Sequence, residues 1–197
     1  SPGDIGKAQE RLRAFREQES RKLSRIARAL ARSEAAGVQP SQALDVLHYD
    51  LDLALDPGPK TLSGTVTMLF SPTAPLGALK MRLHKALKST AATGDGLPAA
   101  PRRKGSDITF TFPVPLAQGS THEVSVSYSG TPPTTDQMGG GMIYGSHNGV
   151  TVAATLSEPF DSYAWWPCVD DVKDKSTVEV SLTVPAGMTG ASNGLLV

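Results

Sequence analysis

Few side chains in this 197-residue chain are of a type that could do chemistry. They are four histidines, the single cysteine Cys168, and a group of acidic residues near the carboxyl end. The histidines are far apart, and none has the spacing of a metal-ligand pair. The one His-Glu pair, His122-Glu123, runs into Val124-Ser125-Val126, a strand pattern that directs successive side chains to opposite faces. We therefore expect no metal site within this chain.

Glu158 is an acidic residue whose position could allow it to bind a cation. It follows the nearly continuous apolar run 150–156, which predicts a strand buried on both faces, and it precedes Pro159. We therefore expect Glu158 at a strand end, on the rim of its domain. A carboxylate placed there can bind an ammonium group. At ~4 Å and an effective dielectric near 20, the pair contributes about 4 kcal/mol before desolvation, and less after it. Position alone favours the other interpretation, a surface glutamate in a loop.

The residues that follow Glu158 are predicted to be structural. A tryptophan pair beside a proline, Trp165-Trp166, usually fills core volume and fixes a bend. A lone buried cysteine such as Cys168 behaves as a small hydrophobic residue. The charged run 170–175 predicts a turn with local ion pairs rather than a metal site. No nucleophile elbow or partnered triad is visible, which disfavours a cysteine or serine hydrolase.

The elements that must position these residues are mostly strands. Residues 47–55 and 62–70 alternate apolar and polar side chains across the turn Asp56-Pro57-Gly58-Pro59, which predicts an antiparallel pair. The same alternation recurs at residues 79–83, 108–112, 124–128 and 178–184. Residues 91–105, with a solvated basic tip at 102–104, and residues 130–149 are predicted as loops. Short strands between Gly/Pro turns predict an all-β fold, an antiparallel β-sandwich.

Residues 1–40 have a different pattern. No proline occurs between Gly6 and Ala36, and helix formers dominate with apolar residues at three- and four-residue spacing, until Gly37 and Pro40 end the pattern. We predict an N-terminal α-helix and linker over 1–40, followed by a β domain over 41–197. The helix packs on the sheet or on a neighbouring domain in the favoured interpretation. The alternative is a basic amphipathic helix for a membrane surface or partner.

Composition excludes several classes of protein. The 19 basic and 19 acidic side chains balance, which argues against a nucleic-acid-binding or membrane-surface protein. No apolar run approaches the ~20 residues needed to span a bilayer. One cysteine excludes an intramolecular disulfide. No signal peptide is visible, so the compartment stays open between periplasmic or secreted and cytoplasmic.

A family resemblance rests mainly on the last third of the chain. Thr155-Leu156-Ser157-Glu158 and, soon after it, Pro167-Cys168-Val169-Asp170 resemble the Thr-x-x-Glu and Pro-Cys-x-Asp motifs of the aminopeptidase N-like zinc metallopeptidases, the gluzincins. Val184-Pro185 and Ser192-Asn193-Gly194 are similar to the family's next strand end and turn. The first strand pair is similar to the family's first hairpin. The resemblance covers roughly residues 45–197 and leaves the predicted helix outside.

The resemblance implies a saddle-like amino-terminal domain of an enzyme that removes N-terminal amino acids from peptides. It implies that Glu158 binds the peptide α-amine, with Leu156 and Tyr144 lining a subsite. It also implies that zinc and the hydrolytic residues belong to a separate catalytic domain, the partner of this one. Leu156 stands where many relatives have glutamine, so the first subsite is expected to be less polar. Gly145 stands where relatives have arginine, and both departures are expected to affect substrate preference.

The family's zinc motif, His-Glu-x-x-His, and its exopeptidase motif, Gly-x-Met-Glu-Asn, are absent from this chain. We therefore expect the chain alone to be inactive, as a fragment that stops before the catalytic domain. A stand-alone β-sandwich module that binds carbohydrate or protein is the alternative. That alternative requires an exposed, coplanar aromatic platform, for which Trp165 and Trp166 are the candidates.

Overall fold

The computed structural model describes residues 43–133, 141–157 and 161–196. Regular structure in these ranges consists of strands and one 3₁₀ turn, Ser162–Ala164, which confirms the all-β class. The strands are β1 (Leu44–Asp56), β2 (Thr61–Pro72), β3 (Leu76–Arg82), β4 (Leu87–Gly94), β5 (Leu97–Pro98), β6 (Arg102–Lys104), β7 (Asp107–Leu116), β8 (His122–Gly130), β9 (Gly141–His147), β10 (Val150–Leu156) and β11 (Thr177–Thr183). The predicted helix over 1–40 and the predicted boundary at 40/41 lie outside the described residues.

The strands form a large sheet in the order β11-β1-β2-β8-β4-β5, a smaller sheet in the order β3-β7-β6, and the hairpin β9-β10. Apolar side chains of β1, β2 and β8 share one buried core with those of β3 and β7. The large and small sheets therefore pack in layers, as a sandwich does. Among the described residues, no helix is long and apolar enough to cross a bilayer.

The first hairpin confirms the predicted antiparallel pair, with Leu51 opposite Val66 and Tyr49 opposite Met68. A bulge between Val46 and His48 reverses, at the start of β1, which side chains face the core. Val46 is 2% exposed and Leu47 is 38% exposed, so the alternation counted from Leu47 was wrong at that residue. An extra residue in one strand inverts the direction of the side chains beyond it.

The prediction of a wholly antiparallel sandwich was wrong for one strand pair. β11 runs parallel to β1, with Val178 beside Tyr49 and Leu182 beside Leu53. The chain reaches β11 from the hairpin by a long connection through the 3₁₀ turn and the Pro-Cys-x-Asp motif. A connection of that length can carry the chain back to the end of the sheet where β1 begins, which gives a parallel pair.

Two other sequence expectations were wrong. β10 was expected to be buried on both faces, but Val150 and Val152 are exposed, and among the described strands β10 pairs with β9 alone. Residues 91–105 were expected to be a loop, but they contain the end of β4 and all of β5 and β6. Arg103 is not a solvated tip: its Nη2 donates to the carbonyls of Leu83 (3.1 Å) and His84 (2.9 Å). Residues 141–147 of the second predicted loop are strand β9.

Candidate functional site

The Pro-Cys-x-Asp motif is built into the core. Trp166 is buried and meets the ring of Tyr49 edge to face, with centroids 4.8 Å apart. Cys168 is buried, and burial raises the pKa of its thiol well above the ordinary value, so it stays a neutral, inert group. These positions confirm the structural roles predicted for Trp166 and Cys168.

The backbone of residues 165–169 is hydrogen-bonded to residues of three strands. Arg82 of β3 and Cys168 exchange both backbone bonds, at 2.7 and 3.0 Å, and form an isolated bridge. The hydroxyl of Tyr49 on β1 accepts a bond from the Val169 amide (3.0 Å). The hydroxyl of Tyr128 on β8 donates to the carbonyl of Trp165 (2.8 Å). Residues 165–169 are therefore hydrogen-bonded to both sheets of the sandwich.

Asp170 forms its ion pair with Arg82, at the end of β3, and not with a nearby lysine. Its carboxylate accepts from the Arg82 guanidinium, which lies over the ring of Tyr163 at 3.7 Å. Burial raises the pKa of Asp170, and the charge of Arg82 opposes that rise. The predicted turn is confirmed, since the carboxylate of Asp171 accepts from the Lys173 amide (3.0 Å). The prediction of local ion pairs in this run was wrong for Asp170.

Trp165 links the motif to the residue before Glu158. Its Nε1 donates to the Oγ of Ser157 (2.9 Å), directly after the end of β10. Its ring is 6.0 Å from that of Trp166 at an interplanar angle of 61°. Since Trp166 is buried and the rings are not coplanar, the pair does not provide the platform that the carbohydrate-module alternative requires. Glu158 itself lies outside the described residues.

The register of the β9-β10 hairpin places Leu156 and Tyr144 on opposite faces. Leu156 is opposite Gly141, whereas Tyr144 is opposite Ala153 and shares its face with the buried Met142. The Tyr144 hydroxyl is buried without a hydrogen-bond partner among the described residues, and burial raises its pKa. The role of each residue in a subsite stays a prediction.

Comparison with known proteins identifies the family. The sequence profile of the peptidase M1 N-terminal domain matches residues 46–196. This chain belongs to that family. A comparison with curated proteins yields no match.

Solved structures agree with this membership. The M1 zinc metallopeptidase from Deinococcus radiodurans, in a mutant bound to a Tyr-Ser-Ala substrate, shows 32% identity and a TM-score of 0.67 over 79% of this chain and 36% of that one. Leukotriene A4 hydrolase from Saccharomyces cerevisiae shows 20% identity and a TM-score of 0.59 over 75% and 25%, a likeness of fold alone. This chain thus spans about a third of the length of the Deinococcus protein.

The M1 domain also contains a polar cluster that the sequence did not reveal. His122 Nε2 lies 2.8 Å from Ser120 Oγ, and His122 Nδ1 lies 2.8 Å from an oxygen of Asp95. This is the connectivity of a Ser-His-Asp triad. Asp95 follows β4, His122 begins β8 and Ser120 lies two residues before β8, so the pairing of β4 with β8 brings Asp95 to the other two. Residue spacing within the sequence does not predict that β4 and β8 are paired.

The cluster lacks what acyl transfer requires. The Ser120 hydroxyl donates to the carbonyl of Ala117 (2.5 Å). The amide of Ser120 donates to the same carbonyl (3.2 Å), and the amide of Gly119 donates to that of Pro72 (2.8 Å). These amides are therefore not available as an oxyanion hole. The cluster holds two turns together and is not a nucleophile site.

Two cavities adjoin the motif segment. One, of about 180 Å³, is lined by carboxylates that already have protein partners, including Asp170, Asp171 and Asp174. The other, of about 120 Å³, is a mostly apolar cleft between the large sheet and the hairpin. Within the described ranges, no three His, Cys, Asp or Glu side chains are arranged to hold a metal ion, so these residues do not fit zinc.

Proposed function

We propose that this chain is the non-catalytic amino-terminal domain of a zinc metallo-aminopeptidase, and that it helps to bind the amino end of the peptide substrate. The observation that carries the proposal is the M1 N-terminal domain match over residues 46–196. The Deinococcus relative is a zinc metallopeptidase studied with a tripeptide, which supports a peptide as substrate. Zinc and the residues that activate water belong to the remainder of the enzyme, which is the partner of this domain.

Glu158 is the residue proposed to bind the substrate's α-ammonium group. Two observations support this role beside its motif. The residue before it, Ser157, is bonded through Trp165 to the buried motif segment, and Asp161 starts the 3₁₀ turn beyond it with φ of 88°. A carboxylate whose neighbours in the chain are held in place loses less entropy when it binds a cation.

Leu156 is proposed as an apolar wall beside this carboxylate. It is the last residue of β10, two positions before Glu158, and is half-buried. A leucine there offers no hydrogen bond to the substrate backbone, so the subsite relies on apolar contact and on the charge of Glu158. Tyr144, on the other face of the hairpin, is proposed to line the site from the domain side.

The test uses the full-length product of this gene with aminoacyl-arylamides. We expect Glu158→Gln to lower kcat/KM on the order of 100-fold, mainly through KM, because a desolvated ammonium group loses its counter-ion. Glu123→Gln, a change at an exposed glutamate of β8, is the matched control and leaves kcat/KM unchanged. Equal kinetics for the two variants would remove Glu158 from the site. Absence of peptidase activity in the unaltered full-length protein would refute the proposed function itself.

A further inference from the structure

The apolar face of β11 continues the core face of the sheet without being covered by the described residues. In the parallel register, Val178, Val180 and Leu182 lie beside Tyr49, Leu51 and Leu53. The three β1 residues are 1–4% exposed, whereas the three β11 residues are 51%, 36% and 37% exposed. Neighbours in register point to the same face of a sheet. The sequence of β11 is therefore that of a core strand, in a position where one side of the core is open.

β11 is also an end strand of the large sheet. One of its edges is bonded to β1, and no other described strand pairs with its second edge. It has seven residues without proline or lysine, and Glu179 is its one charged side chain, so it has few of the features that protect an exposed edge. Such an edge offers backbone donors and acceptors to a further strand.

An apolar cleft lies between the β9-β10 hairpin and the face of the sheet that β11 shares with β1. It has a volume of about 120 Å³ and is lined by Val180 and Leu182, by Leu53 of β1, and by Ala153 and Ala154 of the hairpin. Side chains that project from an added strand towards the core would enter this cleft. We therefore expect apolar residues at alternate positions of that strand.

The opposite face of β11 is acidic where it meets β1. Glu179 lies directly beside Asp50, and like charges in this arrangement repel. No salt bridge joins either carboxylate to a basic group among the described residues. A basic residue on the outer face of a neighbouring strand would relieve the repulsion.

We infer that a further strand, supplied by the part of the peptidase outside this chain, pairs with the free edge of β11. Its inward residues are apolar and enter the cleft, and an outward lysine or arginine lies beside Glu179. The inference rests on the proposed function, since the Deinococcus relative has about two thirds of its length beyond the matched region. The strand completes the core and fixes this domain to the rest of the enzyme.

Hydrogen exchange on the full-length protein tests the pairing. We expect the amides of β11 to exchange as slowly as those of the central strand β2, and at least about tenfold more slowly than those of β6, an end strand of the smaller sheet. Exchange in β11 as fast as in β6 would overturn the inference while leaving peptidase activity, and hence the proposed function, intact.

A pair of variants tests the cleft. Val180→Glu places a charge at the mouth of the cleft, and we expect it to lower Tm and to speed β11 exchange at least about tenfold in the full-length protein. Val114→Glu, at an exposed position on β7, is the matched control and changes neither. Equal Tm values for the two variants would overturn the inference. So would light scattering that shows a dimer dispersed by Val180→Glu, because the occupant would then be a second copy.

Discussion

Arg82 neutralises a buried carboxylate and connects it to an aromatic ring. The side chain of Asp170 is 8% exposed, and the guanidinium that pairs with it also stacks on Tyr163. Removing one member of such a pair leaves the other charge buried without compensation. The planar guanidinium makes both contacts at once, which a lysine ammonium cannot do.

We expect Arg82→Met to destabilise the domain by about 2 kcal/mol at pH 7, less than for a fully buried pair because Arg82 is itself 37% exposed. The loss should shrink at pH 4. Burial raises the pKa of Asp170, and without Arg82 it rises further, so acid neutralises the carboxyl and removes the uncompensated charge. Urea unfolding at both pH values measures this.

Lys80→Met is the control for that experiment. Its ion pair with Asp107, at 3.9 Å, joins two exposed side chains, so we expect a loss of less than about 1 kcal/mol. A loss for Arg82→Met that stays the same from pH 7 to pH 4 would show that stacking on Tyr163, and not charge, carries the effect.

The contact between Asp95 and His122 should make the stability of the domain depend on pH in a second way. Burial alone raises the pKa of Asp95, but the Glu123 amide and His122 outweigh it and lower the pKa below its ordinary value. Because the pKa of Asp95 is lower in the folded than in the unfolded protein, its ionised carboxylate stabilises the fold at any pH above the unfolded-state pKa. This contribution is lost as the pH falls through the folded-state pKa. Asp95→Asn should therefore cost less than about 1 kcal/mol at pH 7, since the carboxyl is half exposed, and nothing in strong acid. Denaturant unfolding from pH 7 downwards measures both limits, and a cost that persists in strong acid would contradict the prediction.

At the scale of elements, the β1–β2 hairpin depends on one close approach. A Cβ added at Gly64 would lie 2.4 Å from the Asp52 carbonyl and 2.8 Å from a methyl of Leu53. Backbone cannot move aside there, because the ladder pairs Gly64 with Leu53. We expect Gly64→Ala to destabilise by roughly 1–3 kcal/mol.

Gly77→Ala provides the comparison for this substitution. Gly77 lies in β3, and an added Cβ there meets nothing within 4 Å. We expect its unfolding free energy to change by no more than a few tenths of a kcal/mol, with a small gain from the lower entropy of the unfolded chain. Chemical denaturation of both variants, fitted with a common dependence of the unfolding free energy on denaturant concentration, measures the difference in stability. Equal midpoints would contradict the close approach.

The sequence predicted elements well and their partners poorly. Val66, Met68 and Phe70 alternate cleanly, and all three are buried as the period of two requires. The parallel pairing of β11 was not predictable, because apolar alternation is the same for either strand direction. The partner of Asp170 was also missed, since the pair joins residues far apart in the sequence. The same holds for the candidate site. The family motif singled out Glu158 in the sequence, but alternation did not predict which face of the hairpin carries Leu156 or Tyr144.

At the scale of the whole molecule, the described part of this domain offers no site for metal chemistry. Cys168 is buried, and the carboxylates near it have protein partners. The histidines are engaged elsewhere: His48 contacts Thr177 Oγ1 (2.8 Å), and His122 lies in the polar cluster of the turns. Stability of this domain should therefore not depend on a bound cation.

This leads to a test by metal removal. A ligand that binds only the folded state raises Tm by mass action, so removing a bound cation lowers it. We expect EDTA to leave the Tm of this chain unchanged in calorimetry, and added zinc to cause no rise, because no described group of side chains offers a tetrahedral N, O and S set. In the full-length protein, the same treatment should abolish peptidase activity, since the proposed function assigns zinc to the rest of the enzyme. A fall in the chain's own Tm with EDTA, reversed by zinc, would contradict this assignment.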